Sequence, residues 1–289
     1  MQTGIHQGSA KENELLFPTF TKEDYSLPLP GSPLLDLEKV DQLAKELSEK
    51  IYVSPKNAKL NDVGQMVPEE LGVKLNEKEF KSQFVEYFYQ NSQSNMKIPT
   101  LSVYPKVDSE LLSHIKNKQI GYYVTYFNSH NKTRSHNIRL SAEAINNHVV
   151  FPGEKFSFNE VVGRRTEAKG YLKAPVIVRG ELSEGIGGGI CQVSSTLFNA
   201  VDRAGMDIIE RYSHSKSVPY VPPGRDATVS WYGPDFSFKN MTNQPILIRS
   251  KAVGGTIFVM IYSSDLINNE PRNVQSMSID LPKEIHLSD

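Results

Sequence analysis

The sequence predicts an α+β protein in which a cysteine-bearing helix packs on a mostly antiparallel sheet, with a smaller N-terminal α+β domain. The first observation is an apolar stripe at helical spacing that begins beside Cys191, the single cysteine. The second is the region after that helix, where short apolar runs alternate with Gly, Pro and Asn, as in an antiparallel meander. The third is that chemical motifs are dense after Ile120 and absent before it, which predicts two domains.

The composition excludes several classes of function. A chain of 289 residues accommodates one large or two modest domains. A formal net charge of −1 does not favour nucleic acid as a partner. A single cysteine excludes an intrachain disulfide and a multi-cysteine metal site, and neither a metal nor a cofactor is indicated. No apolar run reaches the roughly 18 residues that a membrane span requires.

The first 117 residues are predicted to form a leader and a small domain. Residues 1–35 are polar and rich in proline, which is typical of an extended leader or linker. Residues 1–11 lack an apolar signal core, which fits either a cytosolic start or a chain whose signal or anchor was removed. Residues 36–117 then contain predicted helices that begin at the caps Asp36, Asn76 and Asp108, and a strand at 101–104.

The segment between residue 120 and the cysteine is predicted to contain a strand, a helix and a second strand. Residues 120–127 are rich in Tyr and Val, and residues 174–178 are also apolar, as expected for strands. Apolar residues at helical spacing from Ile138 to Val149 predict the helix between them. The histidines of this segment, His130, His136 and His148, match no metal-site spacing.

Cys191 falls at the start of its predicted helix, directly after a glycine run and well before the C-cap residue Gly205. The first N–H groups of a helix lack internal partners and its dipole is positive there, so this position favours a reactive thiolate. The alternative is that Cys191 is a small buried apolar residue. If it reacts, we expect the substrate to contact the glycines, which allow close approach, and the polar residues beside them: Gly188, Gly189, Gln192 and Ser194.

A cysteine nucleophile needs a base and a group that orients the base. His214 follows Cys191 by 23 residues, and Asp226 follows His214 by 12. Neighbouring antiparallel strands would place His214 and Asp226 side by side. The alternatives are a strand-end histidine that faces solvent and a carboxylate that caps a turn. The strands predicted in this region are 208–209, 218–221, 227–232, 245–249 and 256–262.

A cysteine at a helix start, followed by His and Asp on a sheet, is analogous to the architecture of papain and the transglutaminases. Arg165 and Arg225 lie in motifs on either side of the cysteine stretch. An arginine beside such a site can bind a substrate carboxylate through its two-pronged guanidinium, although most arginines are solvated surface groups. We expect at least one of the two to contact the substrate.

Four long motifs resemble the VanW domain of bacterial cell-envelope proteins, and the resemblance covers about residues 119–262. Residues 36–117 more loosely resemble the peptidoglycan-binding domain that often precedes such catalytic domains. The VanW-like motifs are PGEKFSFN at 152–159, GRRT at 163–166, GGGICQVSSTL at 187–197 and YVPPGRDATV at 220–229.

The resemblance implies a bacterial, extracytoplasmic, wall-associated protein, although the usual signal or anchor is not evident. Its expected organisation is a leader at 1–35, a peptidoglycan-binding domain at 36–117, a VanW-like catalytic domain at 119–265 and a tail at 266–289. Some VanW members are assigned as L,D-transpeptidases with a catalytic cysteine, which implies Cys191 as the nucleophile and His214 as the base.

In an L,D-transpeptidase the thiolate attacks an amide of a peptidoglycan stem peptide, a D-amino acid leaves, and an amine of a second stem resolves the thioester. The Cys191 N–H and a neighbouring glycine N–H are candidate oxyanion donors. Two alternatives stay open: a cysteine peptidase or amidase, in which water is the acceptor, and a non-catalytic wall-binding module, in which Cys191 is structural.

Overall fold

The structure is a computed structural model that describes residues 21–278 apart from 32, 91–95 and 179–180. Its internal contacts divide the chain into an N-terminal unit, Met1–Ala58 with Val67–Asp108, and a C-terminal unit, Lys59–Met66 with Ser109–Asp289. The predicted leader lies outside the described residues up to residue 20, and the predicted tail lies outside them from residue 279.

Helices and mostly antiparallel strands are interleaved along the chain, which confirms the predicted α+β class. The α-helices are α1 Leu37–Ile51, α2 Glu77–Tyr89, α3 Ser109–Ile115, α4 Lys132–Ile145, α5 Phe158–Val162 and α6 Ile190–Arg203. The strands are β1 Lys59–Leu60, β2 Met66–Val67, β3 Gly72–Leu75, β4 Thr100–Val103, β5 Lys118–Tyr126, β6 His148–Val150, β7 Lys155–Ser157, β8 Lys173–Val178, β9 Glu181–Ile186, β10 Asp207–Glu210, β11 Ser237–Lys239, β12 Ile246–Val253 and β13 Thr256–Ser263.

The N-terminal unit packs α1 and α2 beside the antiparallel pair β3 and β4. Asp36 and Asn76 cap the two helices, as predicted, by accepting hydrogen bonds from backbone N–H groups of the first turns. The end of the predicted leader belongs to this core. Leu35 is buried, and the ring of Tyr25 lies edge-on to that of Phe84 at 5.1 Å, so the interpretation of residues 21–35 as linker was wrong.

The C-terminal unit is built on an antiparallel sheet with the strand order β5-β13-β12-β6. A second antiparallel sheet has the order β10-β11-β7, and β8 pairs with β9. Helix α6 packs on β5 and β13, and α4 packs on β12 and on α6. Helix α6 lies so close to β5 that a Cβ at Gly121 would collide with the carbonyl oxygen of Ala200, which explains the glycine there.

Two of the predicted strands, 218–221 and 227–232, are loops in the structure. Val218, Tyr220 and Val221 are buried as strand residues would be, but the backbone of the following loop bonds to side chains of α6 instead of to a neighbouring strand. The predicted helix to Val149 ends at Ile145, because Asn147 adopts a left-handed conformation with φ of 66°.

The described part of the predicted tail, residues 266–278, packs against the C-terminal unit. Ile267 and Val274 are buried in its core. Arg272 donates to Asp202 on α6 at 2.8 Å and to the carbonyl oxygen of Met206 at 2.8 Å. This segment is therefore structural, and the interpretation of it as a tail was wrong. Among the described helices, none is long and apolar enough to cross a membrane.

Candidate active site

Cys191 is the second residue of α6 and is partly exposed. The helix begins after Gly189, whose φ of 104° allows the sharp entry into the first turn. The Cys191 Sγ lies 3.7 Å from the hydroxyl of Thr228 and 3.6 Å from the carbonyl oxygen of Val229. The thiol thus lies between the positive end of a helix and the loop that follows Asp226.

Asp226 holds His214 by two hydrogen bonds to a single carboxylate oxygen. The backbone N–H and the Nδ1 of His214 each lie 2.6 Å from Oδ2 of Asp226. An ionised carboxylate only accepts hydrogen bonds, so Nδ1 must donate to Asp226, and Nε2 is the ring nitrogen left for another partner. Both residues lie in a loop, so the expectation that paired strands align them was wrong.

The imidazole of His214 and the thiol of Cys191 interact electrostatically, so that each shifts the pKa of the other. The structure therefore brings together the three residues Cys191, His214 and Asp226, which we call the triad. The side chains of His214 and Asp226 are only 6% and 8% exposed, so water weakens their interaction little.

The pKa values in the triad favour a thiolate beside an imidazolium. Burial raises the pKa of Cys191, but the interaction with His214, with smaller effects of Val229 and Thr228, lowers it below its ordinary value. Burial lowers the pKa of His214, but Cys191 and then Asp226 raise it overall. Burial likewise opposes the ionised form of Asp226, and hydrogen bonds from His214 keep its pKa low. The charged forms of the three residues stabilise one another.

The polar side of α6 fixes the loop that carries Asp226. Ser194 donates to the carbonyl oxygen of Ala227 at 2.5 Å, and Ser195 accepts from the N–H of Ala227 at 2.8 Å. One turn further on, Asn199 donates to the carbonyl oxygen of Arg225 at 2.7 Å. These serine and asparagine side chains are fully buried, so the loop replaces solvent as their partner.

Four of the predicted substrate contacts have structural roles instead. Gln192 is buried, and its side-chain amide accepts a hydrogen bond from Arg134 and donates to Thr125 and to the carbonyl oxygen of Tyr126. Ser194 binds the loop through Ala227, as described above. A Cβ at Gly188 would lie 2.5 Å from the carbonyl oxygen of Pro175, so this glycine makes room for strand β8 and not for a substrate. Gly189 provides the left-handed helix cap and faces Arg134.

The two predicted arginines differ in what surrounds them. Arg225 donates from Nε to Asn199 at 2.7 Å and from Nη2 to Asp202 at 2.6 Å, so its guanidinium supports α6 and we no longer assign it to the substrate. Arg165 has both Nη atoms buried, and within the described part of the chain neither has a hydrogen-bond partner. Only Arg165 stays a candidate for substrate binding.

Two further residues of the site were not singled out from the sequence. The buried ring of Tyr220 lies edge-on to the imidazole of His214, at 6.4 Å between centroids, and burial raises the pKa of its phenol well above its ordinary value. Thr228 contacts the thiol. The signal in the sequence was that both are polar residues inside apolar runs. Among the described residues, no cluster of three His, Cys, Asp or Glu side chains could hold a metal ion.

Comparisons with known proteins give relatives of this chain. The family model described as VanW like protein matches residues 133–262, which include the whole triad. The uncharacterized protein YoaR of Bacillus subtilis is 60% identical over 268 residues, which cover 93% of this chain and 88% of that protein. The vancomycin B-type resistance protein VanW of Enterococcus faecalis is 32% identical over 112 residues, which cover 37% of this chain and 41% of that protein. No solved structure matches the chain, so the analogy with papain stays a prediction.

Proposed function

Because this chain belongs to the VanW family, which is associated with the bacterial cell envelope, and because Cys191 interacts electrostatically with His214, which is hydrogen-bonded to Asp226, we propose that it is a peptidoglycan L,D-transpeptidase. The observation that carries the proposal is the triad itself. A thiol at a helix start, paired with a buried imidazole that a carboxylate orients, is the arrangement that cysteine acyl transfer requires.

In the first step the Cys191 thiolate attacks the carbonyl carbon of an amide in a stem peptide. A sulfur–carbon bond forms, and the electron pair of the carbonyl moves to oxygen. The backbone N–H of Cys191 belongs to the first turn of α6, where no internal acceptor exists, so it is available to stabilise this oxyanion. When the carbon–nitrogen bond breaks, His214 gives the proton of Nε2 to the departing amine, and a thioester is left on Cys191.

In the second step an amine of another stem attacks the thioester. His214, now neutral, accepts a proton from that amine at Nε2, the carbon–sulfur bond breaks, and the Cys191 thiolate is restored. Asp226 holds the imidazole in one tautomer through both steps, because its carboxylate accepts the Nδ1 hydrogen. The same residues would carry out hydrolysis if water replaced the amine, and exclusion of water selects between the two.

Peptidoglycan is supported as the substrate by the family and by one relative's name. The protein of Enterococcus faecalis is named for resistance to vancomycin, and the matched family is associated with the cell envelope. We extend this association to the present chain and place it outside the cytoplasm, where stem peptides are cross-linked.

Incubation of the purified protein with disaccharide stem peptides, read by mass spectrometry, tests the proposal. We expect dimers whose mass equals that of two stems less one D-amino acid, and none with Cys191→Ala. Removal of one small side chain from the partly exposed helix start should leave the melting temperature nearly unchanged. Cleaved monomers without dimers would indicate a peptidase or amidase. Unchanged stems, with a thiol that does not react at neutral pH, would contradict catalysis and indicate a binding module.

A further inference from the structure

The guanidinium of Arg165 is buried at its tip and has no hydrogen-bond partner there among the described residues. Its Nη1 and Nη2 are both inaccessible to solvent, and neither forms a hydrogen bond within the described part of the chain. The guanidinium lies over the ring of Phe158, at 5.8 Å from the centroid. Its side chain packs against Gly187, where a Cβ would lie only 3.2 Å from the Cβ of Arg165. Arg165 is thus held against the glycine turn that leads into α6.

Burial of this guanidinium costs free energy, which the charges of Cys191, Tyr171 and Asp235 offset only in part, since the pKa of Arg165 is lowered overall. A buried charged group without a partner is more costly than a buried hydroxyl or amide. The other buried side-chain atoms without a partner in the described residues belong to uncharged groups, on Ser141, Asn159, Ser237 and Ser250. Buried guanidinium nitrogens without a hydrogen-bond partner among the described residues are expected at a site where a ligand supplies the partner.

Asp235, the carboxylate whose charge acts on Arg165, is committed elsewhere. Asp235 accepts from the hydroxyl of Ser157 at 2.5 Å and from the backbone N–H groups of Asn159 and Phe236 at 2.9 and 2.8 Å. Burial lowers the pKa of Arg165, while the negative charges of Cys191, Tyr171 and Asp235 raise it. The pKa of Arg165 thus responds to Cys191, and the contact of Arg165 with Gly187 places it beside the turn that leads into the helix of Cys191.

We propose that Arg165 forms a carboxylate-binding subsite beside Cys191. The subsite takes a peptide that carries a free carboxylate within one residue of the carbonyl that the thiolate attacks. The planar guanidinium presents two parallel N–H groups to the two oxygens of a carboxylate, which suits it to this ligand better than a lysine. The inference rests on the proposed function, since it assigns the substrate class for the same thiol.

Two alkylating reagents of nearly the same size separate the subsite from the reactivity of the thiol. Iodoacetate carries a carboxylate and iodoacetamide a neutral amide. With either reagent the Cys191 thiolate forms a sulfur–carbon bond and iodide leaves. The ratio of the two rate constants does not depend on the fraction of Cys191 that is ionised, because both reagents react with the same thiolate. The ratio therefore measures the preference of the site for a carboxylate.

We expect Arg165→Gln to lower the ratio of iodoacetate to iodoacetamide rates by about tenfold or more, since one charge-assisted interaction is lost. Arg165→Lys should lower it by less. Arg164→Gln is the matched control, because it removes the same charge from the neighbouring, exposed residue. A ratio that falls equally in Arg164→Gln and Arg165→Gln would overturn the proposal. A slow iodoacetamide reaction in the unaltered protein would instead count against the proposed function.

The subsite is also tested where no thiol chemistry occurs. In a Cys191→Ala protein, N-acetyl-D-alanine should raise the melting temperature and N-acetyl-D-alaninamide should not, because only the former has a carboxylate. The additional substitution Arg165→Gln should abolish the rise. Arg165→Gln should itself leave the melting temperature equal or higher, since it removes a buried charge whose Nη atoms have no hydrogen-bond partner among the described residues. Equal shifts with the two compounds, or a shift that survives Arg165→Gln, would overturn the subsite whether or not the thiol is reactive.

Discussion

At the scale of single residues, His214 determines whether Cys191 is a nucleophile. The interaction with His214 opposes the effect of burial and lowers the pKa of Cys191. A larger fraction of this thiol is therefore ionised at a given pH than of an ordinary cysteine, and the thiolate is lost as the pH falls through the lowered pKa. Without His214, burial would dominate and the pKa of the thiol would rise.

The first prediction concerns the pH dependence of alkylation by iodoacetamide. We expect the rate to reach its plateau at a lower pH than that of an ordinary thiol, and His214→Ala to move the midpoint upward. Turnover should fall by about 10²–10⁴-fold, as is usual on loss of a general acid and base. His114→Ala is the control, because His114 is exposed on α3. An unchanged midpoint in His214→Ala would show that the imidazole does not act on the thiol.

The second prediction concerns Asp226, whose carboxylate accepts both hydrogens that orient His214. Asn at this position can present an N–H instead, which allows the imidazole to adopt the wrong tautomer. We expect Asp226→Asn to lower turnover nearly as much as His214→Ala, and to raise the pH midpoint of alkylation. Full activity in Asp226→Asn would mean that another group orients the ring.

At the scale of secondary-structure elements, the position of the triad depends on how α6 binds the loop after Gly224. The N–H of Ala227 has the hydroxyl of Ser195 as its partner, and Ala227 is fully buried. Ser195 also donates to the carbonyl oxygen of Cys191 at 2.7 Å. One side chain therefore links the helix turn of Cys191 to the loop of Asp226.

The third prediction follows from this link. Ser195→Ala leaves a buried N–H without its partner, so we expect a loss of about 1–3 kcal/mol in the free energy of unfolding, measured by urea denaturation. The rate of alkylation of Cys191 should also fall, since the loop loses its register with α6. Ser135→Ala on α4 is the control, because that hydroxyl bonds to a carbonyl of its own helix turn at 2.6 Å. Equal stability of the two variants would contradict the role given to Ser195.

At the scale of the C-terminal unit, Asp202 connects three separate segments. It accepts from Arg225 in the loop of the triad at 2.6 Å and from Arg272 in the C-terminal segment at 2.8 Å. Burial opposes the ionised form of Asp202, but the hydrogen bonds and charges of Arg225 and Arg272 lower its pKa overall. The ion pairs tie α6 to the segments on both sides of it.

The fourth prediction is that Asp202→Asn destabilises the protein at neutral pH by about 1–2 kcal/mol. Because the pKa of Asp202 is lower in the folded state, its contribution is fully present above the pKa of the unfolded chain and is lost as the pH falls through the folded value. The difference in melting temperature between the two proteins should therefore shrink in acid. A difference that stays constant down to that range would contradict the assignment.

The sequence by itself determined the local features of this protein. Helical spacing, the caps Asp36 and Asn76, and the glycines around the cysteine predicted α1, α2 and the start of α6, because periodicity and capping act between residues that are neighbours in the chain. The order Cys191, His214, Asp226 was also evident, since an imidazole and a carboxylate after a helix-start cysteine suggest one chemistry.

Only the tertiary structure decided how these residues meet and what their neighbours do. His214 and Asp226 come together in a loop because buried side chains of α6 bind that loop, and no local pattern reports a contact between distant segments. The same applies to the arginines, which look alike in the sequence. Arg225 is paired with Asp202, whereas the buried Nη atoms of Arg165 have no hydrogen-bond partner in the described part of the chain, because burial and pairing depend on the whole fold and not on the residue type.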